Sequence, residues 1–337
     1  MEFVEKFQIP FMTTMDAKGI LPEDHHLSLG VFGTSGDPGA KKYFDNSKVV
    51  LAIGNSFAQN ATYSFQKDLY ENKTLMHINI DRNEIDKVYR ADYAMVSDIK
   101  PAIVGITEEL SRRIEAREPI SGGPPRMRGV RGSRKEIEKE KYYDEQINYT
   151  GGKIHPGQLV QVMSRNLPEN SIVMGDAGSH MLWLNCYLQL TKNQRYQNPG
   201  SFGPMASHVN GSIGVKCANP DKHVICGCGD GAYLMAGFEL LTAVQNNIPV
   251  IWVIFNNGEF NVIKKFLINM FGDHAFMQFQ NPDYVMYAEA CGAKGYRVEE
   301  LSGFEEVFNE ALNSNKPTLI DVVVESEVYP PFSLSRV

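Results

Sequence analysis

A carboxylate set between two glycines, Gly229-Asp230-Gly231, and the asparagine pair Asn256-Asn257, 27 positions on from Asp230 to Asn257, are the residues of this chain best suited to chemistry. Each group follows a short apolar run, HVICGC (His223–Cys228) and VIWVIF (Val250–Phe255). Such runs read as buried parallel strands, which puts Asp230 and Asn257 at carboxyl strand ends, the edge where α/β sheets bind ligands. Two ligands suit the pattern. Gly227-x-Gly229-x-x-Ala232 satisfies the dinucleotide fingerprint, but that reading wants an acid after the next strand, where this chain has two asparagines. It also leaves a carboxylate where it would repel a pyrophosphate. The second reading makes Asp230 and Asn257 ligands of a divalent metal that neutralises a diphosphate. A carboxylate, an amide oxygen, a backbone carbonyl and two phosphate oxygens suit the octahedral oxygen demand of Mg²⁺. Gly229 and Gly231 would let the backbone approach the phosphates, and the helix start at Gly231–Tyr233 would supply N–H groups. We prefer this reading because it requires the carboxylate.

The elements needed to hold these groups are spelled out on either side. A helix is expected after Gly231, with Leu234, Phe238 and Leu241 at helical spacing on one face and a stop at Asn246-Asn247-Ile248-Pro249. SIVMGD (Ser171–Asp176) and TLIDVVV (Thr318–Val324) read as further strands of the same part, and IPFMTT (Ile9–Thr14), VVLAIG (Val49–Gly54) and TLMHINID (Thr74–Asp81) as strands of the first part. ATYSFQKDLY (Ala61–Tyr70) reads as a helix between them. Apolar runs alternating with helical stretches imply an α/β chain of two doubly wound parallel-sheet domains with helices on both faces. The first, over 1–118, opens with barely two helical turns where a strand is usual, so it reads as incomplete and the chain as a portion of something longer. A linker follows over 119–149, and the second domain spans 150–337. The linker carries Gly-Gly-Pro-Pro and seven Lys/Arg against three Glu between Arg126 and Lys141, which reads as a solvated connection running into a helix rather than a nucleic-acid patch.

Composition narrows the class. At 337 residues two packed units are expected, and 43% apolar with 22% charged residues excludes disordered and fibrous chains. A net charge of −7 argues against a general nucleic-acid binder. No run approaches the ~18 apolar residues of a membrane span, and MEFVEKFQIPFMTT lacks the features of a signal peptide, so a cytoplasmic protein is expected. Cys186, Cys217, Cys226, Cys228 and Cys291 form no CxxC pair and read as small apolar fillers.

The spacing of GDG and NN, with KIHPGQLVQVMSRNLPENSIVMGDAGSHMLW before it and ACGAKGYRVEELSGFEEVFNEAL after it, resembles the diphosphate-binding domain of thiamine-diphosphate-dependent enzymes. GILPEDHHLSLGVFGTSG, VVLAIGNSF and HINIDRNEIDKVYRADYAMVSDIKPAI resemble the central domain of the same group. The DAGSHMLW and HINIDRNEIDK segments are most similar to the acetolactate synthase large subunit. The resemblance implies Mg²⁺ held by Asp230, Asn257 and the main-chain carbonyl of Glu259, and thiamine diphosphate held by Gly178, Ser179, His180, Gly229, Gly231, Ala232 and Tyr233. It implies that Met205 bends the cofactor so that it can deprotonate its own thiazolium carbon. Val262, Ile263 and Phe266 would line the substrate pocket, although by sequence alone they read equally as a packed helix face, and Met205 as a core filler. PMASHVNG (Pro204–Gly211) departs from the pattern usual there, which bears on the pocket's shape, and His208 receives no role.

The implied activity is decarboxylation of a small 2-oxo acid with carboligation to an acetolactate-type product, a transferase or lyase reaction. The family's pyrimidine-binding domain, which carries an essential glutamate, has no match in these residues. The resemblance therefore implies a partner domain or subunit, a homo-oligomer (dimer or tetramer), and an isolated chain without activity. FAD is not expected: GNSF (Gly54–Phe57) lacks the arginine usual in flavin-holding members, and Asp81 and Glu84, otherwise candidate flavin neighbours, read equally well as a helix N-cap and a first-turn acid. The alternatives are a simple 2-oxo acid decarboxylase, a non-catalytic subunit that kept the fold and, more distantly, an NAD-dependent dehydrogenase.

Overall fold

The structure, a computed structural model, describes residues 1–116 and 149–330. The linker expected at 119–149, with its basic run, lies outside the described residues except for Tyr149. The N-terminal part opens with α1 (Glu2–Phe7), then β1 (Phe11–Thr13) and β2 (Ser28–Val31), which pair in parallel as a two-stranded sheet. After α2 (Pro38–Asn46) come β3 (Val49–Ile53), β4 (Thr74–Asn79) and β5 (Tyr93–Val96), a separate three-stranded parallel sheet, closed by α3 (Ile99–Glu115). The helix starts are set by local chemistry. Asp37 accepts from the Gly39 N–H with Pro38 in the first turn, and Asp98 accepts from the Lys100 N–H. Leu29, Phe32, Phe44, Phe57, Tyr63, Leu75 and Tyr89 fill the core of this part.

The helix expected over Ala61–Tyr70 does not form. A single 3₁₀ turn (Gln59–Thr62) is followed by Tyr63, Ser64 and Phe65, all at positive φ. Three consecutive left-handed residues cannot continue a right-handed helix, and the turn that results drops the Tyr63 ring edge-on against Phe32. Asp81 caps a 3₁₀ turn by accepting from the Asn83 N–H, as its reading as a cap expects.

The C-terminal part starts with α4 (Pro156–Asn166), β6 (Ser171–Gly175), α5 (Ser179–Tyr187), β7 (Arg195–Gln197) and α6 (Ser207–Ala218). It continues with β8 (His223–Gly229), α7 (Asp230–Ala236), α8 (Leu240–Gln245), β9 (Val250–Asn256), α9 (Asn261–Phe271), α10 (Tyr284–Cys291), β10 (Lys294–Val298), α11 (Leu301–Leu312) and β11 (Thr318–Val323). Six parallel strands bond in the order β10-β11-β9-β8-β6-β7. Alternate residues serve opposite faces: Val173, Ile225, Val253 and Ile320 pack under α4, α5 and α11, while Met174, Cys226, Trp252 and Leu319 pack under α6, α7 and α10. Burial on both faces is why these strands read as unbroken apolar runs. Cys226 and Cys228 are the fillers expected, whereas Cys217 is exposed.

The apolar face expected of Leu234, Phe238 and Leu241 turns outward, with Phe238 78% exposed. The helix is broken there by a 3₁₀ turn at Gly237–Glu239. The Tyr287 hydroxyl donates to the Gly237 carbonyl at 2.9 Å, and the Tyr233 ring packs so closely on Gly237 that a Cβ there would clash. The two parts of the chain are joined by buried polar contacts. The Lys18 ammonium, paired with Glu23 at 2.7 Å, also donates to the Leu188 carbonyl at 2.8 Å, and Asn198 donates to the Met15 carbonyl.

His155 caps α4: its Nδ1 accepts from the Gly157 N–H at 3.0 Å, and its ring lies edge-on to Trp183. Burial depresses its ionisation to about 4, against a smaller upward pull from Glu325. Unfolded, the group titrates near 6.5. The folded chain therefore binds fewer protons between those values, and stability is full above about pH 6.5 and falls as pH drops towards 4. At ~1.4 kcal/mol per pH unit, the loss is on the order of 3 kcal/mol. Urea unfolding at neutral and mildly acid pH should show that loss in the wild type and little of it in His155→Asn, whose amide oxygen keeps the cap. An equal loss in both would assign the acid sensitivity to other groups.

Candidate functional site

β8 and β9 are neighbours, so the loops leaving their carboxyl ends meet side by side. Around them opens a cavity of about 220 Å³ lined by Gly178, Ser179, His180, Met205, Gly229, Asp230, Gly231, Ala232, Asn257, Glu259, Val262 and Ile263, among others. The structure thus brings together all the site residues expected from sequence except two. The Tyr233 side chain turns into the core against Tyr284, and the residue does not line the cavity. Phe266 does not line the cavity and is 43% exposed, so it is neither a wall of this pocket nor the packed core residue its helical spacing also allowed.

Asp230 is buried, and its carboxylate takes donors from three directions, one on Oδ1 and two on Oδ2. Oδ1 accepts from the Gly231 N–H at 2.9 Å; Oδ2 accepts from the Gly258 N–H at 2.7 Å and from the Asn281 amide at 2.8 Å. Burial pushes its ionisation upward, and those donors pull it back. Asn257 turns its Oδ1 to the Glu259 N–H at 3.3 Å. The Glu259 side chain is buried, paired with Lys264 at 3.0 Å and with the Asn261 amide at 2.9 Å. That pairing fixes the backbone of the Asn257–Glu259 turn.

Across the cavity, Gly178 precedes α5 at φ 152°, where a Cβ would run into the His180 ring, and a Cβ at Gly229 would press closely on the same ring. His180 is buried, burial holds its ionisation down at about 3, and its Nε2 has no hydrogen-bond partner. Met205 rides on a loop anchored by Asp176, whose fully buried carboxylate accepts from the Ala206 and His208 N–H groups at 2.7 and 2.8 Å. His208 thus acts through its backbone. A buried imidazole nitrogen without a partner, a glycine-lined wall, and carboxylate and amide oxygens at adjacent strand ends form a donor set that fits a divalent cation and a diphosphate.

Sequence reading missed Asp176, Lys264 and Asn281. Asp176 read only as the end of a strand, and nothing in the sequence singled out Lys264. Asn281 stands in an Asn-Pro-Asp run whose visible signal is the cap that Asp283 provides to α10.

Comparison with known proteins agrees with this geometry. The sequence model described as the thiamine pyrophosphate enzyme C-terminal TPP binding domain matches residues 176–322, and that for the thiamine pyrophosphate enzyme central domain matches residues 1–106. The acetolactate synthase isozyme 3 large subunit of Escherichia coli is 29% identical over 98% of this chain and 57% of its own length. The acetolactate synthase large subunits of Buchnera aphidicola and Corynebacterium glutamicum are 28% and 26% identical, over 97% and 98% of this chain and 57% and 53% of their own lengths. The chain spans a little over half the length of these curated relatives. Among the described residues no helix is long and apolar enough to cross a membrane. With strand-end Asp230 and Asn257 facing the glycine-lined wall, and with both domains matched along the chain, this protein belongs to the thiamine pyrophosphate-dependent enzymes, of which it carries the central and the C-terminal cofactor-binding domains.

Proposed function

We propose that the chain is the cofactor-holding portion, with a central domain over 1–118 and a diphosphate-binding domain over 150–337, of an acetolactate synthase-type enzyme that decarboxylates a small 2-oxo acid and joins the product to a second one. The observation that carries this reading is the cavity in which Asp230 and Asn257, from adjacent strand ends, face the unpartnered Nε2 of His180 across a glycine-lined wall. Asp230, Asn257 and the Glu259 carbonyl would hold Mg²⁺. Gly178, Ser179 and His180, with the backbone at Gly229, Gly231, Ala232 and Tyr233, would hold the diphosphate. Thiamine diphosphate, when bound, supplies a nucleophilic thiazolium carbon and an electron sink for the departing carboxylate. Met205, held by the Asp176 anchor, would set the bend of that ligand, and Val262 and Ile263 give the substrate end an apolar wall. The remaining half of the chemistry, a glutamate acting on the aminopyrimidine, would come from a partner domain or subunit.

The test is calorimetric titration of thiamine diphosphate into this chain with and without Mg²⁺. Saturable heat that requires Mg²⁺ supports the reading, and its absence from folded protein overturns it. The 337 residues alone should not turn over pyruvate, and robust decarboxylation by them would overturn the assignment of half the chemistry to a partner. The divergent loop around Met205 and His208 favours one second reading, a simple 2-oxo acid decarboxylase. Product analysis of the assembled enzyme, acetolactate against acetaldehyde, separates the two.

A further inference from the structure

Asp230 lies at one end of a chain of side chains that runs through the carboxyl edge of the sheet to its surface. The Asn281 amide nitrogen donates both to Asp230 Oδ2 and to Asn256 Oδ1, each at 2.8 Å, and its own Oδ1 accepts from the Tyr284 hydroxyl at 3.0 Å. Asn256 in turn donates to Asp321 Oδ1 at 2.8 Å, and Asp321 Oδ2 accepts from Arg297 at 2.7 Å. Asp230, Asn256 and Asp321 are all buried, while Arg297 is half exposed. Charge fixes the direction of every link. An amide oxygen turned towards Asp230 would face an anion, so Asn281 must present its nitrogen. Asn256 must then present oxygen to Asn281 and nitrogen to Asp321, whose remaining oxygen takes the guanidinium. A fully satisfied buried network of this kind has a single low-energy arrangement.

We infer that Asn281 is a positioning residue for Asp230. It pins Oδ2, together with the Gly258 N–H, so that the carboxylate cannot rotate and Oδ1 is left facing the cavity as a metal ligand. Asn256, Asp321 and Arg297 hold Asn281 in register, and Tyr284 closes its other side. None of these residues lines the cavity. This inference rests on the reading of Asp230 as a Mg²⁺ ligand.

The experiment titrates Mg²⁺ into the full chain at fixed saturating thiamine diphosphate by calorimetry, with the melting temperature of each ligand-free variant measured beside it. Asn281→Ala should weaken Mg²⁺ about 10- to 100-fold, the range usual when a ligand-orienting partner is lost. Tyr284→Phe, which keeps the ring and removes the hydroxyl shared by Asn281 Oδ1 and the Asp230 main-chain carbonyl, should weaken Mg²⁺ a few-fold with little change in melting, and it tests the inference even if Asn281→Ala fails to fold. An Mg²⁺ Kd within twofold of wild type in both variants overturns the inference while leaving Asp230 as ligand intact. If the wild type itself shows no Mg²⁺-dependent binding, the functional reading fails first and takes the inference with it. Loss of affinity that merely tracks loss of folded protein also overturns it.

Discussion

Asp230→Ala should abolish the Mg²⁺-dependent binding of thiamine diphosphate, a loss of at least about 100-fold, since changing a residue that only orients a ligand already costs 10- to 100-fold. The size of the effect follows from the cavity's charge. Of its two lining carboxylates, Glu259 is committed to Lys264, so Asp230 carries the negative charge that a hard dication requires at this edge of the sheet. Asp230→Asn keeps the shape and loses that charge, so it should bind more weakly than wild type and more tightly than the alanine variant. The ligand-free fold should survive both. Removing the carboxylate leaves the Gly258 N–H and the Asn281 amide without this acceptor, at a cost of about 1–3 kcal/mol per buried donor. The checking measurement is the same calorimetric titration, and saturable Mg²⁺-dependent binding by Asp230→Ala would place the metal elsewhere.

The second large effect is expected at Lys264→Met. Lys264 and Glu259 are both buried, and removing one partner of a buried ion pair strands the other charge at a cost of about 3–5 kcal/mol. Burial pulls the Lys264 ammonium down, but Glu259 and Glu327 outweigh it and the net shift is upward, so the lysine is charged in the folded chain. Glu259→Met combined with Lys264→Met should recover most of the loss, because a matched apolar pair carries no desolvation penalty. Denaturant unfolding of the single and double variants checks this, and a single-variant loss below about 1 kcal/mol would mean that the pair is solvated. The same lysine steadies the turn whose Glu259 carbonyl is assigned to the metal, so Lys264→Met should also weaken Mg²⁺, whereas changing the exposed partner Glu327 should do neither.

Much of this was readable from the chain. Asp230 and Asn257 could be placed on one edge because each follows an apolar run buried on both faces, and parallel strands that are neighbours present their carboxyl ends together. The match of both segments to one enzyme group supplied the rest of the cavity's cast, and the structure gathers nearly all of it. What periodicity could not supply was direction. Leu234, Phe238 and Leu241 have helical spacing, yet tyrosines from α7 and α10 converge on Gly237 and turn that face outward. Ala61–Tyr70 has helical composition, yet three left-handed residues make it a turn that serves the aromatic core.

Asn281 illustrates the deeper limit. It meets Asp230 across 51 residues and Asn256 across 25, because the segment after α9 folds back over the strand ends. Lys264 likewise shows as a helix residue in the sequence and as half of a buried pair only once the turn and the segment near Glu327 close around it. Strand and helix signals are local, carried by neighbours two to four positions apart, so the chain by itself determined most of the strands, their α/β order and the placing of Asp230 and Asn257 at strand ends. Which face each helix shows and which polar side chains hold Asp230 and the Asn257–Glu259 turn depend on contacts between distant segments, and these only the tertiary structure decided.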